Sequence, residues 1–184
     1  MAKPPKIVGE RKKELKILPP PPKNRIIHPE KGSEGMFEIY ISKVSMDRII
    51  EHCKAYSQKR LEVMGLLIGD IFKWDEHVFS LVKNTVTTEL KATNISVKFD
   101  RDGFEGLFTK LDYLDYDYVI VGWYHSHPGL GCFLSQKDIE TQKRMFNKPF
   151  HTALVVDPIK RETKAYKLTE KGYEEQRFAV YLDR

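Results

Sequence analysis

One short stretch near the middle of the chain, residues 121–138, limits the possible folds and functions more than any other. Its sequence is VGWYHSHPGLGCFLSQKD. The apolar run from Tyr118 to Val121 predicts a buried strand that leads into it. His125 and His127 follow at the end of that strand. Because residues two apart in a strand face the same side of a sheet, we expect both imidazoles to reach one metal ion.

The next residues predict that a carboxylate returns to the same place. Pro128, Gly129 and Gly131 stop the strand and turn the chain. Ser135 is expected to begin a helix, with Asp138 three residues later in its first turn and therefore beside the histidines. The Ser-x-x-Asp spacing also fits a helix capping box, which needs no metal.

Two histidines and one aspartate form a set of nitrogen and oxygen donors. Catalytic zinc sites typically have three protein ligands and leave the fourth position to water, whereas structural sites are closed and often use cysteine. The chain has two cysteines, Cys53 and Cys132, in unrelated contexts. We therefore expect an open zinc site, no disulfide framework, and a reducing, cytoplasmic setting. A lone H-x-H is a weak signal, but this combination is difficult to explain by chance.

These residues carry a resemblance to a known family. H-S-H-P-x6-S-x2-D resembles the JAMM signature of the MPN-domain metalloproteases, and residues 121–135 resemble the catalytic subunits of the proteasome lid and the signalosome. The resemblance continues in EVMGLLIG (residues 62–69) and in VVDPI (residues 155–159). It covers about residues 37–168.

The resemblance implies an α/β (α+β) fold in residues 36–184, with a central mixed, curved sheet flanked by helices, similar to cytidine deaminases. It implies a zinc isopeptidase with one zinc ion per chain, bound by His125, His127 and Asp138. Glu62 would be the acid and base, and Ser135 would donate to the developing oxyanion. The alternative for Glu62 is a carboxylate in water at a strand end, although a charge beside an apolar run is costly unless it is paired or used.

The resemblance also supplies the substrate, the bond between the C-terminal Gly-Gly of ubiquitin, or of a ubiquitin-like modifier, and a lysine. In the family, the segment corresponding to residues 88–98 pairs with the modifier's tail, which points here to Ile95 and Val97. Gly129 would let its loop lie close to a narrow channel, and Phe133 stands where close relatives usually carry tryptophan. The implied partners are modifier conjugates and possibly the proteasome. The C-terminal helices of those relatives are missing here, so we expect a single-domain homologue of the archaeal type.

Three other functions remain open. A JAMM peptidase could process a sulfur-carrier modifier. A non-catalytic MPN scaffold would typically lack the metal ligands, which are present here. Nucleic-acid binding is suggested only by the net charge of +5, and that charge lies in residues 1–35, which contain nine Lys or Arg and four Glu. The remainder is neutral, so nucleic acid is not an expected partner. No apolar run approaches the roughly 18 or more residues of a membrane span, so no membrane is expected as a partner either.

The chain divides at about residue 35 into a basic, proline-rich segment and the predicted domain. The run Pro19–Pro22 favours an extended conformation. This segment could be a solvated leader that packs loosely or not at all, or a docking arm for an acidic partner or the proteasome. We favour the solvated leader. Hydrophobic periodicity predicts strands at residues 36–42, 62–71, 78–87, 151–156, 162–168 and within 172–183, and helices at 45–57, 100–111 and 135–146.

Overall fold

One mixed sheet forms the centre of the described part of the chain. The computed structural model describes residues 15–29, 35–87 and 119–183. Within these ranges lie β1 (Lys16–Ile17), β2 (Ile26–Pro29), β3 (Ile39–Ser42), α1 (Lys43–Ser57), β4 (Met64–Trp74), β5 (His77–Thr87), β6 (Val119–Ser126), α2 (Gln136–Met145), β7 (Thr152–Asp157), β8 (Glu162–Thr169), β9 (Gly172–Gln176) and β10 (Phe178–Tyr181). A 3-10 turn, Lys23–Arg25, precedes β2.

The strand order explains why the two histidines are buried. It is β2-β10-β3-β5-β4-β6-β7-β8-β9, and β1 pairs separately with β4. The pairs β1–β4, β10–β3, β3–β5 and β6–β7 are parallel, and the other pairs are antiparallel. The predicted mixed α/β sheet is thereby confirmed. Strand β6 contains His125, leads directly to His127 and lies between β4 and β7, so its end is enclosed on both sides.

Side chains alternate along the central strands, so the sheet has two apolar faces. Both faces are covered. On one face, α1 packs against an apolar cluster that includes Met46, Ile49, Cys53, Leu67, Val121 and Leu154. On the opposite face, residues at the ends of α2 pack with Leu66, Trp123 and Val155. Helix α1 begins where the Ser42 hydroxyl accepts a hydrogen bond from the Ser45 amide at 3.1 Å. The two helices therefore lie against different faces of the same strands.

Gly69 lies at an irregularity in the longest strand pair. The register between β4 and β5 shifts between Ile68 and Gly69. A side chain at Gly69 would place its Cβ 1.9 Å from the Leu81 carbonyl oxygen. A glycine within a strand is typical of a bulge or of close backbone approach, and both occur at Gly69.

The interpretation of the N-terminal segment as loosely packed is wrong for the part that the structure describes. Strand β1 pairs with Phe72 and Lys73 of β4, and β2 pairs with β10. The Leu182 amide also donates to the Arg25 carbonyl at 2.9 Å. Prolines favour an extended backbone, and an extended backbone can pair with an exposed strand edge. The division of the chain at residue 35 stays a prediction.

The last residues form two strands where one was predicted. Strand β9 pairs with β8, and β10 lies between β2 and β3 on the far side of the sheet. The alternation at Phe178 and Val180 is confirmed, because both lie in the α1-side core while Ala179 lies in a third cluster with Tyr40 and Phe79. The predicted loop at residues 88–98 and helix at 100–111 lie outside the described residues. No helix among the described residues is long and apolar enough to cross a membrane.

Candidate metal centre

The backbone of the two histidines is held by strands on both sides. His125, in β6, lies opposite Met64 of β4 and Val155 of β7. The His127 amide, just past the strand, donates to the Val156 carbonyl at 2.9 Å. This pairing fixes the direction of both imidazoles and confirms that they share one side of the sheet.

Asp138 reaches the histidines because of how α2 begins. The Ser135 hydroxyl oxygen accepts from the Asp138 amide at 3.3 Å, and the Asp138 carboxylate accepts from the Ser135 amide at 2.7 Å. This is the predicted capping box, and it is confirmed. The cap and a metal ligand are compatible uses of the carboxylate, since an ionised carboxylate has about four lone-pair positions.

The three side chains converge on one point. Oδ2 of Asp138 lies 3.3 Å from Nε2 of His125 and 3.5 Å from Nε2 of His127. The three ligand atoms all lie within 4.8 Å of one another, and this group could hold a metal ion. Four ligands about 2.0–2.1 Å from a tetrahedral zinc lie about 3.3–3.4 Å apart. The distances from Asp138 to the two histidines therefore match a zinc-sized centre.

Burial and the hydrogen bonds within this group together set its protonation. The exposed fractions of His125, His127 and Asp138 are 2%, 3% and 4%. Burial lowers the pKa of His125, which favours the neutral imidazole that a metal requires. Burial alone would raise the pKa of Asp138, but hydrogen bonds from both histidines hold that pKa well below its usual range. For His127, the bond to Asp138 and its charge outweigh burial and raise the pKa.

An aromatic ring and a side-chain amide support His125, and neither role was predicted from the sequence. Trp123 stacks on His125 with ring centroids 4.4 Å apart, and its indole N–H donates to the Gln142 side-chain oxygen. Gln142 also donates to the Phe146 carbonyl at 3.0 Å. Gln142 lies four residues after Asp138, hence on the same face of α2. That spacing is the one sequence signal that could have found it.

Glu62 is placed near the end of β6 by hydrogen bonds that its neighbour Val63 makes there. Ser126, between the two histidines, accepts from the Val63 amide through its hydroxyl oxygen and donates its own amide to the Val63 carbonyl, both at 2.9 Å. Burial raises the pKa of Glu62; the charge of His127 lowers it and that of Asp138 raises it. A half-buried carboxyl with a raised pKa is suited to accept and return a proton near neutral pH.

The other predicted site residues are only partly described. Phe133 is 40% exposed, and its ring centroid lies 4.7 Å from that of His127. Gly129 is half-buried in the turn after His127, with φ of +81°. Ile95 and Val97 lie outside the described residues. Burial raises the pKa of the Cys132 thiol to about 11, so this thiol is a poor nucleophile at neutral pH.

Known proteins are similar to this chain in the region that contains these site residues. A family model described as "JAB1/Mov34/MPN/PAD-1 ubiquitin protease" matches residues 34–148. The chain is 35% identical over 123 residues to the ubiquitin carboxyl-terminal hydrolase RPN11 of Saccharomyces cerevisiae, which covers 66% of this chain and 39% of that protein. It is 36% identical over 123 residues to the 26S proteasome regulatory subunit RPN11 of Eremothecium gossypii, covering 66% and 38%. It is 35% identical over 128 residues to the COP9 signalosome complex subunit 5 of Debaryomyces hansenii, covering 67% and 26%.

The matched part of the chain therefore spans about two fifths or less of these relatives. A solved structure supports the fold independently. The solution structure of protein DSY2949 from Desulfitobacterium hafniense superposes with a TM-score of 0.53 at 23% identity, covering 79% of this chain and 94% of that one.

Proposed function

Because the chain belongs to the JAB1/Mov34/MPN/PAD-1 ubiquitin protease family, we propose that it is a zinc-dependent isopeptidase. Its substrate would be the bond between the C-terminal Gly-Gly of ubiquitin, or of a ubiquitin-like modifier, and a substrate lysine. One observation carries the proposal: His125, His127 and Asp138 converge at zinc-ligand spacing in a buried site.

The donor set fits zinc better than it fits magnesium or calcium. Imidazole nitrogens suit zinc, copper, iron and nickel, whereas magnesium and calcium prefer oxygen donors alone. Three ligands leave a position for water, as in catalytic zinc sites. When bound, zinc supplies a Lewis acid that makes water available as a nucleophile near neutral pH and polarises the scissile carbonyl. The ligands themselves hold the ion at the exit of β6 and the entrance of α2.

Glu62 is assigned the proton transfers. It accepts a proton from the attacking water and returns it to the departing lysine amine, which must leave protonated. Its raised pKa supports both directions of transfer. No covalent intermediate is needed, in keeping with the weakly acidic Cys132 thiol.

Ser135 is assigned to the developing oxyanion. Its oxygen accepts in the helix cap, so its hydroxyl proton can still be donated. Removing one such donor costs about 2.7–4 kcal/mol in acyl-transfer enzymes. Ser135 would therefore both begin α2 and stabilise charge in the transition state.

The substrate contacts extend the proposal. A Gly-Gly tail fits a narrow channel because it has no side chains to clash near the metal. Phe133 lies beside His127, and Gly129 would let its turn lie close to that channel. Ile95 and Val97 would pair with the extended tail. The similar proteins include subunits of the 26S proteasome and the COP9 signalosome, so modifier conjugates and a proteasome particle are the first partners to test.

The decisive experiment is a cleavage assay with a panel of modifiers. The zinc-loaded chain is incubated with lysine conjugates of ubiquitin, ubiquitin-like modifiers and sulfur-carrier modifiers, with and without a chelator. We expect release of at least one modifier, its loss on chelation, and its recovery with zinc. Release that survives complete zinc removal, or no release from any conjugate, would refute the proposal. The modifier released separates an isopeptidase acting on ubiquitin-type conjugates from a sulfur-carrier peptidase.

A substitution at Glu62 separates the metal from the proton transfer. Glu62→Gln should keep one zinc ion per chain and lower kcat by at least about 100-fold, since general acid–base groups contribute roughly 10²–10⁴-fold. The matched control is Glu51→Gln, the same change at an exposed position on α1. Zinc content is measured by elemental analysis. If Glu62→Gln lost its zinc, the residue would be a ligand and the assignment would be wrong.

A further inference from the structure

A single carboxylate ties together two turns beside the metal group. Oδ1 of Asp157, the last residue of β7, accepts from the amides of Gly129, Ile159 and Lys160 at 2.9, 3.0 and 3.0 Å. Its Oδ2 accepts from the Gly131 amide at 2.7 Å. Two of these four donors belong to the turn after His127, and the other two belong to the turn after β7 itself.

Asp157 is fully buried, with 0% of its surface exposed. Burial by itself would raise its pKa, but the four backbone hydrogen bonds outweigh burial and lower that pKa. The ion pairs between described residues do not include Asp157. The charge is therefore stabilised by fixed N–H groups, whose direction depends on the exact course of both turns.

The turn held by Asp157 is bounded on both sides by residues of the site. Residues 128–131 follow His127, and the Leu130 amide donates back to the His127 carbonyl at 3.1 Å. After the turn, the Cys132 carbonyl accepts from the Tyr166 hydroxyl at 2.7 Å. The 128–131 turn is thus fixed at its start, at its middle by Asp157, and at its end. Leu130, between the two glycines of the turn, is 58% exposed.

The glycine that meets Oδ2 is required by backbone conformation more than by space. Gly131 has φ of +87°, in the left-handed region that favours glycine. An added Cβ there would lie 3.5 Å from the end of the Lys160 side chain, an ordinary contact. Substitution of Gly131 would therefore strain the turn without blocking the site.

We propose that Asp157 is a positioning residue that fixes the 128–131 turn as one wall of the channel for the modifier's tail. This inference rests on the proposed isopeptidase function. Asp157 does not contact the metal ligands' donor atoms, so it acts through the turn. It sets how tightly the Gly-Gly tail is held while leaving zinc binding and the proton transfers intact.

The isosteric change Asp157→Asn tests this directly. An asparagine oxygen in the place of Oδ1 can keep the three bonds to Gly129, Ile159 and Lys160. Its NH2 group then meets the Gly131 amide, and two donors face each other. The variant should fold with one end of the turn released. Asp183→Asn is the matched control, because Asp183 also accepts a backbone amide, from Val44 at 3.3 Å, but lies at the end of the chain beside α1.

Steady-state cleavage of a cleavable conjugate by the zinc-loaded full chain gives the first readout. For Asp157→Asn we expect KM to rise at least about tenfold, kcat to stay within about threefold, and zinc to stay at one ion per chain. Asp183→Asn should match the wild type in all three. An unchanged KM in folded Asp157→Asn overturns the proposal, and so does a loss of zinc, which would show that Asp157 acts on the metal ligands.

Amide hydrogen exchange gives a readout that needs no activity. In Asp157→Asn, exchange at Gly131 should rise at least about tenfold while exchange in β6 stays unchanged. If the wild type cleaves no conjugate, the proposed function fails, but exchange still decides whether Asp157 fixes the turn: equal exchange in both proteins overturns that role.

A second variant covers the case in which Asp157→Asn does not fold. Gly131→Ala strains the same turn while Asp157 is intact. Its control is Gly172→Ala, since Gly172 also has a positive φ, +137°, with nothing within 4 Å of an added Cβ. Gly131→Ala should raise KM and Gly172→Ala should not. Equal KM values for the two variants overturn the proposal.

Discussion

Asp138 and Asp157 are two buried carboxylates near His127, and they differ in what they bind. Asp138, 4% exposed, lies in the first turn of a helix and faces two imidazoles. Asp157, 0% exposed, ends a strand and faces four backbone amides. Each has a pKa below its usual value in spite of burial. A lowered pKa therefore does not by itself distinguish a reactive carboxylate from a structural one.

The partners distinguish them. An imidazole that loses its proton becomes a metal ligand, so a cation can replace the protons shared by Asp138 and its histidines. A peptide N–H has no such second state and can only donate. The first arrangement can bind a metal, and the second can only hold backbone in place. The comparison predicts that the same chemical change, carboxylate to amide, has effects of different kind and size at the two positions.

The largest effect is expected at Asp138. Asp138→Asn keeps the size of the side chain and an oxygen that can still accept from Ser135, but it removes the negative charge from the ligand set. Zinc content and cleavage should fall together. Activity should fall by more than about 100-fold, the upper range for losing a mere outer hydrogen-bond partner of a metal ligand. Elemental analysis and the conjugate assay measure both quantities.

Thermal unfolding with and without chelator sharpens this comparison. A ligand at a thousand times its Kd stabilises the folded state by about 4 kcal/mol. Chelation should therefore lower the Tm of the wild type and of Asp157→Asn by several degrees, and should hardly change the Tm of Asp138→Asn. A chelator-dependent Tm in Asp138→Asn, with normal turnover, would mean that Asp138 is only a helix cap.

A smaller effect is expected at the ring that supports His125. Trp123→Phe keeps a ring for stacking but removes the donor to Gln142, and a buried polar group left without its partner costs about 1–3 kcal/mol. We expect a lower Tm and a loss of about tenfold in kcat/KM. Tyr40→Phe is the control: the Tyr40 oxygen accepts from the Phe37 amide at 3.1 Å in a different cluster, so that variant should lose stability without losing kcat/KM. Equal kcat/KM in both variants would remove Trp123 from the site.

The sequence predicts the candidate metal ligands because the positions of these residues depend on local structure. His125 and His127 are two residues apart in a strand, and Ser135 and Asp138 lie within one helical turn, so each pair is placed by the geometry of one element. Glu62 is different. Its position beside the ligands depends on the pairing of β4 with β6, and only the family resemblance pointed to it.

The sequence does not predict the residues whose roles depend on which strands pair. Asp157 and Pro158 indicate a turn, but they do not reveal that β7 pairs with β6. The same limit explains the fold. Alternation at Phe178 and Val180 predicts a strand, but not that it lies between β2 and β3 instead of beside β9. A proline run predicts extended backbone, but not that β1 and β2 join the sheet.

The smallest effect is expected for a surface carboxylate whose ion pair is about as short as the hydrogen bonds of Asp157. Glu175 lies 2.8 Å from the Lys164 ammonium, and each side chain is 42% exposed. Glu175→Gln should change the free energy of unfolding by less than about 1 kcal/mol, since water already solvates both charges. Asp157→Asn, the same change at a buried carboxylate with four donors, should cost about 1–3 kcal/mol.

Urea denaturation of the zinc-free proteins compares the two variants, and salt separates the causes. At 1 M salt, where the screening length is about 3 Å, any effect of Glu175→Gln should vanish. The effect of Asp157→Asn should persist, because its four partners are buried amides that salt does not reach. If the two losses were equal, or if salt removed both, then distance and charge alone would govern these carboxylates, and the contrast between bound backbone and bound side chains would have no energetic meaning.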